Sequence, residues 1–385
     1  MKTLRRHFLA LIFILASCKK NDQLLIPAPG FNNPLVTSTD SAVHRLWLNY
    51  GKDLNTAGIS IGIYKNGTAS FYGYGETKTG NKTTPDKNTF FEIGSVTKTF
   101  TAIAIMNMLL EKGQSIETPV RTYLPDRLPT LARDGIEVNF KHLLTHTSGL
   151  GYFPDNFGAG YYFGRIAEEF EKYDRNKLFT WLLNTPIRHK PFTTWEYSNG
   201  GMGLLGTILE INYNKTYGAV LNEKLFTPLQ LNDTKTDMAE TDLSRWATGY
   251  SGKKEAPYWS SLNAMNGAGV IKSTASDMIK YGVANLNTSS NLLGTAITRT
   301  HDVTFLPFTE GTNHKMNSRL GWFQFIHNQL PNDSFIWHNG GTGGFSSDLF
   351  INKRKNTILV LLYNSDRGTK AREEFRFELL KFISQ

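Results

Sequence analysis

A helix without a polar face is the strongest constraint in this 385-residue chain. From Ala102 to Leu110 every position is apolar except Asn107, and the run stops at Gly113. Such a helix has no side to offer to water, so it belongs in the middle of a large core. The composition supplies that core: 40% of residues are hydrophobic and 12% aromatic. Charged residues make up 19% with no long run of one sign, which disfavours disordered, coiled-coil and fibrous classes.

Around the central helix the patterning divides the chain. Val43 to Leu54 has helical spacing, and Ile59–Tyr64 and Ala69–Tyr72 flank Lys65-Asn66-Gly67 as a strand, tight turn and strand. From Gly113 to about Met265, Pro, Gly and Asn punctuate helix and loop. Strands return at Leu320–Phe325, Ser334–His338, Phe345–Ile351 and Thr357–Tyr363, and an amphipathic helix over Ala371–Ile383 closes the chain. The expected fold class is α/β (α+β): an antiparallel sheet of distant segments flanked by helices, joined to an all-helical region. Its boundaries fall at 38–112 and 265–385 for the α/β sandwich and 113–264 for the helical region.

The first residues are not part of that body. Lys2, Arg5 and Arg6 precede an apolar run from Phe8 to Ala16, too short to span a bilayer, so residues 1–17 read as a signal peptide. Leu15-Ala16-Ser17-Cys18 is similar to the lipobox of bacterial lipoproteins, which implies that Cys18, the single cysteine, is the lipidated N-terminus. Residues 18–37, with Pro27, Pro29 and Pro34, read as a tether between lipid and fold. The expected location is the cell envelope, anchored to the membrane and facing periplasm or exterior. The formal charge of +9 includes three positives in the leader, and no basic stripe interleaved with aromatics points to nucleic acid.

Three segments carry chemistry. Ser95-Val96-Thr97-Lys98 opens the buried helix, and residues three apart share a helix face. A lysine in a dry pocket is neutral enough to help remove a serine's proton. Tyr197-Ser198-Asn199 offers a phenol and an amide on one turn. His338-Asn339-Gly340-Gly341-Thr342-Gly343-Gly344 ends a strand in glycines that allow close approach of a substrate backbone.

In this order and spacing the three segments resemble the penicillin-recognising serine hydrolases, most closely the class C β-lactamase and DD-carboxypeptidase branch, over roughly residues 38 to 385. Leu143-Leu144-Thr145-His146-Thr147-Ser148-Gly149-Leu150, Gly267-Ala268-Gly269, Ser273–Met278 and Leu320-Gly321-Trp322 agree. The resemblance implies that Ser95 is the nucleophile, Lys98 its activating partner and Tyr197 a proton relay. It further implies substrate contacts from Asn199, His338, Gly340, Gly341 and Thr342, with the N–H groups of Ser95 and Gly341 as the oxyanion hole. It leaves open which of Lys98 and Tyr197 is the base.

One departure matters. The β-lactamases carry lysine where this chain has His338, and histidine is charged only part of the time near neutral pH. This version resembles certain DD-carboxypeptidases and D-amino-acid peptidases or amidases. The expected reaction is therefore acyl-enzyme hydrolysis of amides or esters, with D-amino-acid peptides of peptidoglycan type as substrates. A β-lactamase or esterase is the alternative, and a penicillin-binding sensor that stalls after acylation the distant one. No cofactor is expected. His142 and His146 have the spacing of a zinc pair, but Leu143 stands where a metalloprotease needs glutamate, so no metal is expected either.

Overall fold

The structure, a computed structural model, describes residues 24–158, 160, 166–302, 305–308 and 313–385. The leader and Cys18 lie outside the described residues. Thr37 and Asp40 form a reciprocal capping box that starts α1 (Ser38–Tyr50). The hairpin follows as β1 (Gly58–Lys65) and β2 (Thr68–Gly75). Its two turn residues, Asn66 and Gly67, both have positive φ (53° and 78°), as a type I′ turn requires.

The predicted central helix is α2 (Thr97–Glu111), buried at every position from Thr97 to Leu109. Burial of one such leucine or isoleucine contributes about 1.5–3 kcal/mol. The middle of the chain holds α3 (Asn199–Tyr213), the helix Arg175–Asn184 and shorter turns. It is not purely helical: Ala132–Arg133 pairs with Ile136–Glu137, and Gly249–Ser251 with Lys254–Ala256. Next comes α4 (Ala275–Leu286), and the last third supplies β3 (Phe305–Phe308), β4 (His314–Ser318), β5 (Phe323–His327), β6 (Phe335–Gly341), β7 (Ser346–Asn352), β8 (Thr357–Tyr363) and α5 (Lys370–Ser384).

These strands form one antiparallel sheet in the order β2-β1-β8-β7-β6-β5-β4-β3. Period-2 alternation along β8 sorts its side chains between two cores. Ile358, Val360 and Leu362 join Met278 and Ile279 of α4 and the buried face of α2. Leu359, Leu361 and Tyr363 join Val43 and Trp47 of α1 and Phe375, Leu379 and Ile383 of α5. The result is the expected α/β/α sandwich.

Residues 24–37, expected to belong to a tether, lie against this body instead. Leu25 is buried and its N–H donates to Asn55 Oδ1 at 2.8 Å. Gly75 N–H donates to Gly30 O (2.8 Å) and Asn32 N–H to Gly73 O (3.1 Å), so the segment covers the open edge of β2. Asn33, also buried, donates to Asp40 O and to the Tyr74 hydroxyl. Proline content suggested an extended linker, and it is extended, but its polar groups are used by the fold.

Candidate active site

Ser95 lies in the 3₁₀ turn Gly94–Val96, immediately before α2 rather than within it. The turn is held from two sides. Ser347 Oγ of β7 donates to Ile93 O (2.8 Å), and Ile93 N–H donates to Ile271 O (3.1 Å). Gly94 has φ +50°, and a Cβ there would sit 2.6 Å from Gly341 N. A Cβ on Gly340 would sit 1.9 Å from Ile93 O. No L side chain fits at either place, so these glycines let β6 lie directly on the Ser95 turn and bring the Gly341 backbone beside Ser95.

Lys98 is fully buried and its Nζ has three partners: Ser95 Oγ at 3.0 Å, Asn199 Oδ1 at 2.9 Å and Ala268 O at 2.6 Å. Burial holds its pKa well below the usual lysine range. A neutral amine has two N–H donors and one lone pair. Protonated, Lys98 donates to all three; in its neutral form Asn199 Oδ1 and Ala268 O, which only accept, hold the two N–H groups and leave the lone pair for the Ser95 hydroxyl. Lys98 Nζ also stands 4.9 Å from the centroid of the Tyr197 ring.

Tyr197 and Asn199 are placed by the start of α3, where Ser198 Oγ caps Gly201 N–H at 2.9 Å and donates to Gly151 O. The Tyr197 ring lies against His146, with centroids 4.4 Å apart. Ser95, Lys98, Tyr197 and Asn199 thus come together, with Gly340 and Gly341 along one side. Thr342 follows directly after β6, near the buried Glu92.

His338 differs from expectation. It is 1% exposed, and its Nδ1 donates to Asn339 O at 2.5 Å. Burial above all pushes its pKa down to about 3, so it does not titrate in the window near neutrality that an exposed imidazole would. Register explains the depth: His338 sits in mid-sheet, paired with Leu349.

Sequence reasoning passed over two groups. His146 was weighed as half of a zinc pair, yet its ring lies against Tyr197. Glu92 and Lys272 lie opposite each other in register, both buried, with Trp259 N–H donating to Glu92 and Lys272 Nζ donating to Thr236 O and Ser260 O; burial pulls Lys272 down to about 8 against the charge of Glu92. The signal for both was local, a histidine and a carboxylate inside otherwise apolar segments. His142 and His146 do not share a helix face, because the helix Phe140–Leu144 ends before His146, whose φ is +59°. His142 Nδ1 instead accepts from Asn139 N–H. Among the described residues no three His, Cys, Asp or Glu side chains gather as a metal centre requires, and no helix is long and apolar enough to cross a membrane.

A family model described as Beta-lactamase matches residues 43–381. The chain belongs to the β-lactamase family. A β-lactamase from Pseudomonas fluorescens is 25% identical to it over 361 residues, 86% of this chain and 94% of the relative. Esterase EstB from Burkholderia gladioli is 30% identical over 177 residues, 44% of each chain. The solved β-lactamase/D-alanine carboxypeptidase from Pseudomonas syringae superposes with a TM-score of 0.74 at 21% identity, covering 90% of this chain and 99% of that one. Membership in the β-lactamase family, on this fold, makes the chain a serine hydrolase.

Proposed function

We propose that this β-lactamase-family chain hydrolyses amides or esters through an acyl-enzyme on Ser95. The observation that carries the reading is the position of Lys98: its Nζ lies 3.0 Å from Ser95 Oγ while two fixed acceptors hold its other N–H groups, so the neutral amine turns its lone pair to Ser95. Ser95 Oγ gives its proton to Lys98 Nζ and bonds to the substrate's carbonyl carbon. The resulting oxyanion faces the N–H groups of Ser95 and Gly341, donors of a kind whose loss costs about 10²–10³ in rate. The carbon–nitrogen or carbon–oxygen bond then breaks, and the leaving group takes the proton through Tyr197. Water, deprotonated by the same groups, releases the acid and restores Ser95.

The substrates we propose are D-amino-acid peptides or amides of peptidoglycan type. Support comes from the histidine-led third motif and from the resemblance to a β-lactamase/D-alanine carboxypeptidase. An esterase is the second reading, favoured by His338: a buried imidazole held neutral supplies no cation for a substrate carboxylate. We also propose that Cys18 carries a lipid anchor in the cell envelope, on the strength of the Leu15-Ala16-Ser17-Cys18 pattern. Cys18→Ala should release the protein from membranes, and undiminished membrane retention would remove that part.

Mass spectrometry of the full chain with a fluorophosphonate, a D-Ala-D-Ala peptide and a penicillin tests the reaction. Ser95 should carry the adduct, and Ser95→Ala should lose labelling and several orders of magnitude in turnover. An adduct elsewhere, or near-normal turnover by Ser95→Ala, would overturn the assignment.

A further inference from the structure

His146 and His338 each leave a ring nitrogen without a partner in the interior. His146 Nε2 and His338 Nε2 are both buried and both unbonded. Each such group costs about 1–3 kcal/mol if nothing satisfies it.

The partners of the other two nitrogens fix what each orphan is. Ser198 N–H donates to His146 Nδ1 at 3.1 Å, so that nitrogen carries no hydrogen. The neutral His146 ring therefore holds its proton on Nε2, which is a donor. His338 Nδ1 faces Asn339 O, which can only accept, so Nδ1 carries the proton. His338 Nε2 is then a bare acceptor. One orphan is a donor and the other an acceptor.

The rings share their surroundings. Phe323 touches both, its centroid 6.4 Å from His146 and 5.0 Å from His338. Lys98 acts electrostatically on both, and His338 on His146. Burial keeps each imidazole uncharged.

We propose that His146 and His338 are a matched donor–acceptor pair, joined Nε2–H to Nε2 through a single bridging water, and that this pairing decides which side chain position 338 accepts. His146 is then a positioning residue. Its carbonyl accepts from Glu196 N–H at 2.8 Å and its Nδ1 from Ser198 N–H, so it grips the chain on both sides of Tyr197. The pair ties that grip to β6. A protonated lysine at 338 presents only N–H donors toward His146, which also presents one.

The full-length chain labelled with ¹⁵N-histidine tests this by long-range ¹H–¹⁵N correlation at neutral pH. His146→Asn and His338→Asn assign the signals; asparagine adopts the left-handed backbone of residue 146 and can still accept from Ser198 N–H. The expected spectrum has His146 protonated on Nε2 and His338 on Nδ1. The same tautomer on both, or an imidazolium on either, would overturn the pair. This arm needs no substrate, so it stands apart from the acyl-transfer reading.

A second arm uses p-nitrophenyl acetate. His338→Lys should lose at least tenfold in kcat/KM when residue 146 is histidine, and several-fold less in the His146→Asn background. Equal losses in both backgrounds would sink the coupling.

Discussion

Lys98 Nζ stands 3.0 Å from Ser95 Oγ while its other two partners, Asn199 Oδ1 and Ala268 O, come from segments about 100 and 170 residues away. Three parts of the chain thus fix one amine. Lys98→Ala and Tyr197→Phe should each reduce kcat by about 10³-fold or more. The double variant should be little worse than the poorer single, because groups sharing one proton-transfer step are strongly non-additive. Fully multiplicative losses in single-turnover assays would show that they serve separate steps.

Gly340 offers a probe of the oxyanion side that touches no ionisable group. In Gly340→Ala the new methyl meets Ile93 O at 1.9 Å, so β6 must lift from the nucleophile turn. Overpacking of this kind costs about 1–3 kcal/mol of stability. Activity should fall further, by about 10²-fold, since the Gly341 N–H moves with the strand. Circular dichroism melts beside ester kinetics check this; activity loss no larger than the stability change predicts would remove Gly341 from the site.

Stability should respond to acid through His338. Its folded pKa is depressed to about 3 from an unfolded value near 6.5, so the unfolded chain binds the proton first. The stability it contributes is complete above about pH 6.5 and is lost as pH falls toward 3. Buried carboxylates held above their usual range, such as Asp348, work in the opposite direction, so the comparison must be between variants. His338→Gln should make the slope of unfolding free energy against pH shallower by about 1.4 kcal/mol per pH unit in that window. Parallel urea titrations from pH 7 to 4 measure it, and identical slopes would mean the imidazole is not buried neutral.

The docked segment ahead of α1 makes a truncation test. A chain beginning at residue 24 should melt like the full chain. One beginning at Asn33 loses the Leu25, Gly30 and Asn32 bonds and uncovers the β2 edge, so it should melt several degrees lower and aggregate more readily. Equal melting temperatures would reduce the segment to a passive tether.

Most of the fold was legible because the decisive signals are local. Thr357–Tyr363 reads as an interior strand from its own seven residues and is β8 to the residue. The Asn66-Gly67 turn announces its hairpin. By contrast β4, His314–Ser318, has a polar sequence and gives no strand signal; it exists because β5 pairs with it. Ser95, Lys98 and Asn199 were legible through their motifs, though motifs do not report depth. That His338 is enclosed depends on β6 lying in mid-sheet between β5 and β7, which a motif does not report. Likewise, the grip of His146 on Tyr197 depends on a ring nitrogen and a backbone carbonyl meeting residues some 50 positions away.

The sheet's strand order also sets when the protein can first work. Ile59 of β1 pairs with Tyr363 of β8, about 300 residues later. At roughly 5–20 residues per second of synthesis, the first hairpin waits about 15–60 s for its neighbour. Such long-range pairing is slow to form even once the chain is complete. The nucleophile turn is in the same position, since Ile271 and Ser347 hold it and neither exists until most of the chain has been made. A nascent chain, or one shortened to before Ser347, therefore lacks an assembled Ser95 turn, and hydrolysis waits for the late strands of the sheet.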